Sequence, residues 1–195
     1  MQENFRVWLP VILWVLLMMV LQFIGPDVLR YQTRAIHEGE VWRILSGHWV
    51  HANWIHFVLN MAGFFICRGL TGVSWTMAGW SWRIMTLGLG ISLLFLLLNP
   101  NIGWYVGFSG VLFGLYVMSA VDAINRFRFI SVTLLLLITA KMTIDLTSSG
   151  KMTSSELIGV PVLIESHLYG VVMALAIMGS QVLYRILFLK NNEVT

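Results

Sequence analysis

Long apolar runs separated by short polar segments limit the possible folds of this chain more than any other feature. A membrane-spanning helix needs about 20 mostly apolar residues to cross a hydrocarbon core of about 30 Å. Hydrophobic residues make up 58% of the 195 residues and charged residues only 11%, which excludes an ordinary soluble domain. The sequence therefore predicts an all-α membrane protein with six transmembrane helices, over residues 7–24, 49–67, 84–98, 109–123, 129–144 and 167–189.

The chain is predicted to form a single domain over residues 1–195, because no internal repeat and no long linker divides it. The first run lacks a small-residue cleavage site, so it is expected to be a retained helix and not a signal peptide. The formal net charge is +3, but the basic residues are scattered singly, which excludes nucleic-acid binding. The single cysteine, Cys67, excludes an intramolecular disulfide and is expected to be a buried apolar residue.

Basic residues near the ends of the runs predict the orientation, because lysine and arginine favour the cytoplasmic side of a membrane. With a cytoplasmic N-terminus, that side carries an excess of basic residues, whereas the opposite side carries a slight excess of acidic ones. Both termini are therefore predicted to be cytoplasmic. The basic residues on that side are then Arg6, Arg68, Arg83, Arg126, Arg128, Arg185 and Lys190.

In this topology the second, fourth and sixth runs all begin on the outer side, and each begins with polar residues. The second run contributes His51, His56 and Asn60, the fourth begins with Ser109, and the sixth begins with His167. Ionisable groups inside a membrane are costly, so they are expected to face the interior of the bundle and to have a function. These side chains are predicted to meet at one depth below the outer surface.

The fourth run is short enough to place Ser109 below the membrane surface. A helix from Ser109 to Asp122 is about 21 Å long at about 1.5 Å per residue, against a core of about 30 Å. Its outer end then lies roughly 9 Å below the surface, and residues 99–107 must dip into the protein. Irregular backbone at this depth must be buried in protein or line a water-filled cavity. A hydrated cavity with Ser109 at its floor is predicted.

Ser109 and His167 carry the two groups of a serine nucleophile, because an imidazole can accept the hydroxyl proton as the oxygen attacks a carbonyl. Helix packing is the simpler interpretation, with Ser109 as a helix cap. The small residues then form two packing faces: Gly107, Gly110 and Gly114 in and just before the fourth run, and Gly170 and Ala174 in the sixth. The two interpretations are compatible. Close packing of Gly110 and Gly114 against Gly170 and Ala174 would bring Ser109 and His167 within hydrogen-bond distance.

His56 and Asn60 are separated by one helical turn and lie on one face of the second helix. Both can donate hydrogen bonds, as an oxyanion hole requires, and both could equally link this helix to a neighbour. His51 faces another direction and is expected to make structural hydrogen bonds near the surface. No metal site is expected, because His51 and His56 lack ligand spacing and no carboxylate accompanies them.

Together these motifs resemble the rhomboid family of intramembrane serine proteases. The matching segments are Glu40-Val41-Trp42-Arg43, His51-Ala52-Asn53-Trp54-Ile55-His56 with Asn60, Gly107-Phe108-Ser109-Gly110, and His167 with Gly170. Their order, spacing and topology agree over roughly residues 39–175. The resemblance implies a serine nucleophile at Ser109, a general base at His167, and an oxyanion hole from His56, Asn60 and the Ser109 N–H.

The resemblance also implies a six-helix rhomboid-like bundle, whose first loop carries Trp42 and Arg43 partly in the outer leaflet. Phe113 stands where the family commonly has an aromatic ring that supports the catalytic histidine. The sequence departs from the family at Ser166, where alanine is usual, and at Ala174, where a second glycine is usual. Both replacements are small, so they bear on the subfamily more than on the activity.

Residues 100–107 and the short length are similar to the rhombosortases, a proteobacterial branch of the rhomboids. This similarity implies a membrane-anchored protein substrate with a Gly-Gly-type C-terminal tail. It also implies a place in the bacterial inner membrane, with the active site open towards the periplasm. Small residues are expected near the scissile bond, because they fit a tight cavity and weaken the substrate helix. No cofactor is expected, and the sequence leaves the oligomeric state open.

Asp145 and Glu165 are the outer-side carboxylates nearest the end of the fifth run and the start of the sixth. Neither has the spacing of a third catalytic residue, so a serine–histidine dyad is expected. The main alternative is a catalytically inactive rhomboid-like chaperone or binding protein, which would be expected to lack the serine or the histidine. A small transporter would show two related halves, and a metalloprotease would show a His-Glu-x-x-His motif; the sequence has neither.

Overall fold

The computed structural model describes residues 6–147 and 154–189, and its regular structure in these ranges is helical. Lys190, which entered the orientation prediction, lies outside the described residues. Long apolar helices dominate: α1 (Leu9–Ile24), α5 (Trp54–Thr71), α6 (Met77–Leu98), α7 (Ser109–Ala123), α8 (Arg128–Thr147) and α10 (Ile164–Tyr184). Short helices occupy the loops: α2 (Pro26–Leu29), α3 (Thr33–His37), α4 (Arg43–Ser46) and α9 (Ser154–Ile158). A π-helical turn, Arg185–Leu189, continues α10.

Within the described ranges, four helices are long and apolar enough to cross a membrane: α5, α6, α8 and α10 with its continuation to Phe188. The helices α1 and α7 are apolar but shorter, with 16 and 15 residues. The prediction of an all-α, multi-pass membrane protein is confirmed. The number of spans and the side on which the termini lie stay predictions.

The largest differences from the predicted helix starts are at α5 and α6, where polar side chains cap the helices. The second run was predicted to start at residue 49, but α5 starts at Trp54, since Asn53 Oδ1 accepts a hydrogen bond from the His56 N–H at 2.9 Å. His51 therefore precedes this helix. The third run was predicted to start at residue 84, but α6 starts at Met77, after Thr76 accepts a hydrogen bond from the Gly79 N–H.

The short helix α7 lies at the centre of the bundle. It packs against α5, α6, α8 and α10, and most of its side chains are buried. A helix that is apolar on all sides is expected to be surrounded by other helices, and the small residues of α7 allow those neighbours to approach closely. The chain segment that precedes α7 is thereby held inside the protein.

The contact between α7 and α10 depends on glycine. A Cβ atom added to Gly170 would lie 2.0 Å from the carbonyl oxygen of Gly110, and one added to Gly114 would lie 2.8 Å from the carbonyl oxygen of Gly170. The backbones of the two helices are thus in direct contact, as the small-residue pattern predicted. Ala174, where the resemblance led us to expect a second glycine, is also fully buried.

The first loop is tied together by Arg43. Its Nε donates to Glu40 Oε2 at 2.6 Å, and its Nη1 donates to the backbone carbonyls of Asp27 and Arg30 at 3.2 and 3.0 Å. Trp42 is half exposed, and its Nε1 donates to the carbonyl of Val28. These contacts join α2 to α4 and make the loop a compact structure.

The segment between α6 and α7 was predicted to dip into the protein over residues 99–107, but its first part is largely exposed and only its second part enters the protein before α7 begins. Tyr105 pairs with Tyr31 of the first loop through two backbone hydrogen bonds of 2.9 and 3.0 Å. Residues 105–108 are buried. The first loop therefore holds the chain that leads to Ser109.

Candidate active site

Ser109 is the first residue of α7, and its side chain faces α10. Ser109 Oγ and His167 Nε2 are 3.0 Å apart, which is a hydrogen bond. The suggestion that Ser109 caps its own helix is wrong, because Phe108 occupies the cap position and no side chain there bonds the backbone. The serine hydroxyl is instead paired with an imidazole.

The imidazole of His167 is held by an aromatic ring as well. The rings of Phe113 and His167 are stacked, with centroids 4.3 Å apart and planes 11° from parallel. Phe113 is one turn along α7 from Ser109, so one helix supplies both the hydroxyl and the surface on which the imidazole rests. His167 lies in the first turn of α10 and is buried.

A cavity of about 260 Å³ opens beside Ser109. His56, Ser109 and Ser166 supply its polar groups, and Trp104, Tyr105, Val106 and apolar side chains between Ile158 and Leu163 complete its wall. A small, mostly apolar cavity with a few polar groups at one end is the usual form of a ligand site.

Gly107 lets the backbone pass close to His56. Its φ of 123° is a conformation that favours glycine, and a Cβ atom there would lie 2.7 Å from His56 Cε1. The Gly107 N–H donates to the carbonyl of Gly47, and the hydroxyl of Tyr105 donates to the carbonyl of Gly107. The turn before Ser109 is thus fixed on both sides.

Asn60 and His51 are placed differently from His56. Asn60 is buried and its Nδ2 donates to the backbone carbonyl of His56 at 3.0 Å, but Asn60 does not line the cavity. His51 was expected to make structural hydrogen bonds, but its ring is fully buried and neither ring nitrogen has a hydrogen-bond partner among the described residues. Its backbone is bonded in both directions by the side chain of Gln22, whereas its ring contacts His56 and Phe57 edge-on.

Asp145 is near the site, although its sequence position gave it no role. Asp145 Oδ2 lies 3.5 Å from His167 Nδ1, and Lys141 forms an ion pair with the other carboxylate oxygen. The sequence held one signal for it: an ionisable residue at the outer end of an apolar run, at the depth predicted for His167. Glu165 remains without an assigned role.

A serine hydrogen-bonded to a buried histidine, beside a cavity in an apolar bundle, can perform nucleophilic acyl transfer. The fold and the site thus define a membrane protein with the groups of a serine hydrolase. A family model described as the Rhomboid domain matches residues 38–182, most of the chain. The chain belongs to the rhomboid family.

Rhomboids are serine-type intramembrane peptidases that act on membrane proteins in a lipid bilayer, and the family also includes inactive members. Membership therefore supports an intramembrane protease function. No curated protein matches the chain closely.

Proposed function

We propose that this chain is an intramembrane serine endopeptidase in which Ser109 is the nucleophile and His167 is the general base. The observation that carries the proposal is the 3.0 Å contact between Ser109 Oγ and His167 Nε2, at the edge of a cavity that a peptide could enter. The stacked Phe113 ring supports it, because a fixed imidazole loses less freedom when it takes up a proton. An inactive chaperone would not need this pair.

The reaction is acyl transfer. Ser109 Oγ attacks the carbonyl carbon of a peptide bond in a locally unwound substrate, and His167 Nε2 takes the hydroxyl proton. The tetrahedral intermediate then expels the amine, which receives that proton from His167, and the acyl group stays on Ser109. A water molecule repeats the sequence, so the acid product leaves and Ser109 regains its proton.

The negative oxygen of the intermediate needs hydrogen-bond donors. The N–H of Ser109 is a candidate, because the first N–H groups of a helix have no partner within it. His56 is proposed as the second donor, since it lines the cavity together with Ser109. Asn60 is proposed as the third donor: one N–H of its amide is directed at the His56 carbonyl, and an amide carries two.

The substrate is proposed to be a membrane-anchored protein with a Gly-Gly-type C-terminal tail, as for a rhombosortase. The limited cavity volume supports small residues near the scissile bond. Within this proposal the chain is one domain of six spans in the bacterial inner membrane. Both termini are cytoplasmic, and the cavity opens towards the periplasm.

Fluorophosphonate labelling of the purified protein tests the serine and the histidine. Wild type is expected to be labelled, whereas Ser109→Ala removes the nucleophile and His167→Ala removes its base, so both should lose labelling. Ser119→Ala is the matched control, because Ser119 is a buried serine on the same helix that bonds Tyr116 and Cys67. Equal labelling of all four proteins would contradict the proposal and favour an inactive rhomboid.

Cleavage of a tail-bearing membrane substrate tests the assignment to the rhombosortase branch. A tail with small residues, an apolar helix and basic residues should be cut by wild type and by Ser119→Ala, and left intact by Ser109→Ala and His167→Ala. Efficient cleavage of other rhomboid substrates without cleavage of the tail would contradict the rhombosortase assignment alone.

A further inference from the structure

Asp145 is a carboxylate in a position where an isolated charge would be costly. It lies in the last turn of α8, one of the helices able to cross a membrane, and its side chain is only 7% exposed. Buried charges in such helices are found paired and directed at the bundle interior. The Asp145 carboxylate therefore needs partners for both of its oxygens.

One oxygen has a partner on the same helix. Lys141, one turn earlier on α8, forms an ion pair with Oδ1 of Asp145. The lysine side chain is 38% exposed, so it can reach the membrane surface while its ammonium group contacts the carboxylate. This leaves Oδ2, which points towards α10.

The second oxygen faces the imidazole of His167. Asp145 Oδ2 and His167 Nδ1 are 3.5 Å apart, and neither atom has a hydrogen-bond partner among the described residues. Two buried polar atoms without other partners are expected to pair with each other. Catalytic hydrogen bonds are often long before substrate binds and shorten when it does.

The other contacts of His167 leave its Nδ1 atom free to pair with Asp145. Phe113 covers a face of the ring, and Nε2 is bonded to Ser109. An ionised carboxylate only accepts hydrogen bonds, so it favours the tautomer with the proton on Nδ1. In that tautomer Nε2 is free to accept the proton of Ser109, whereas the other tautomer would set two acceptors against each other at 3.5 Å.

We propose that Asp145 is a positioning residue for His167, which fixes the imidazole tautomer and stabilises the imidazolium that forms when Ser109 attacks. The site then acts as a serine–histidine–aspartate triad, and not as the dyad that the sequence indicated. Asp145 itself stays ionised throughout, as in serine proteases. This inference rests on the proposed function of Ser109 and His167.

Asp145→Asn tests the role by keeping the shape of the side chain and removing its charge. The variant is expected to lower kcat by roughly 10²- to 10⁴-fold with little change in KM, because it affects the proton transfer and not substrate binding. Asp145→Glu should recover part of the lost kcat. Asp122→Asn is the matched control, since Asp122 is also 3.5 Å from its ion-pair partner, Arg83, on a helix of the same bundle.

A purely structural role would give a different result. If Asp145 only anchored α8, Asp145→Asn would lower the melting temperature while the folded fraction kept its kcat, and that outcome overturns the proposal. Normal kcat in a stable Asp145→Asn does so as well. In both cases an active wild type leaves the proposed function standing; loss of labelling and cleavage in wild type itself would overturn both.

The tautomer can be measured without relying on an aspartate variant. In protein labelled with ¹⁵N-histidine, the His167 resonances are identified by their absence from His167→Ala. At neutral pH the proton is expected on Nδ1. A proton on Nε2 in wild type would overturn the proposal, even if Asp145→Asn did not fold.

Discussion

At the scale of single residues, glycine sets the distance between α7 and α10, and with it the separation of Ser109 from His167. The Cβ of an alanine at position 170 would lie 2.0 Å from the Gly110 carbonyl oxygen and 2.9 Å from its carbon. Both are backbone atoms and cannot move aside without moving the helix. The contact between Ser109 and His167 thus requires glycine at position 170, one turn along α10 from His167.

Gly170→Ala is therefore expected to push the helices apart, lower the melting temperature and abolish fluorophosphonate labelling. Overpacking of this kind costs about 1–3 kcal/mol. Gly179→Ala, on the same helix, is the control: nothing lies within 4 Å of its added Cβ, so labelling should persist. Unchanged stability and labelling in Gly170→Ala would show that the helices are not in direct contact.

At the scale of elements, the first loop supports the candidate active site by holding the segment that leads to Ser109. Tyr31 pairs with Tyr105, and Gly47 accepts from the Gly107 N–H. Arg43 in turn bonds Glu40 and two carbonyls of the same loop. A loop whose sequence shows only a short motif around Trp42 and Arg43 is thus tied by hydrogen bonds to the segment that leads to Ser109.

Arg43→Lys should destabilise this loop, because an ammonium group cannot reproduce the planar fork of hydrogen bonds made by the guanidinium. A drop in melting temperature corresponding to about 1–3 kcal/mol is expected, with weaker labelling of Ser109. Arg34→Lys is the matched control, since Arg34 pairs with Glu38 in the same loop but is 87% exposed. Its effect should stay within about 0.5 kcal/mol. Equal effects of the two variants would contradict the role of Arg43.

At the scale of the whole molecule, burial of histidines in the first loop couples stability to pH. His48 lies in the first loop, where it is fully buried, and its Nε2 is hydrogen-bonded to Ser92 Oγ at 2.9 Å. Burial lowers the pKa of His48 from 6.5 to about 3, and burial together with nearby His56 lowers the pKa of His51 well below its usual value. Both rings are therefore expected to be neutral in the folded protein at pH 7.

Stability should therefore fall as the pH drops from about 6.5 towards 3, because His48 and His51 bind protons in the unfolded chain but not in the folded one. Above about pH 6.5 His48 does not make the stability depend on pH. Each unit of difference between the folded and unfolded pKa of a histidine corresponds to about 1.4 kcal/mol. Thermal unfolding in detergent at pH 7 and pH 5 should therefore detect the loss of stability. His48→Gln should flatten this dependence, whereas a change at exposed His37 should not. An unaltered slope in His48→Gln would contradict the assignment.

How much could be predicted from the sequence differs from residue to residue. The start of α7 at Ser109 and the burial of Cys67 followed from local patterns of hydropathy and small residues. The start of α5 did not, because apolar Trp49 and Val50 extend the run beyond the point where Asn53 caps the helix. The sequence did not predict that Asp145 lies near His167, since spacing along the chain does not show which face of α8 packs against α10.

The sequence by itself determined that the chain is helical, apolar and polytopic, and which residues carry a serine, a histidine and the glycines between helices. Hydropathy and helical period are local properties, so they can be read along the chain. Only the tertiary structure decided that Ser109 bonds His167 and does not cap α7, that His51 is buried, and that Asp145 faces the second imidazole nitrogen. Those contacts depend on the rotation and spacing of helices that are distant in sequence, which packing between Gly110 and Gly170 sets.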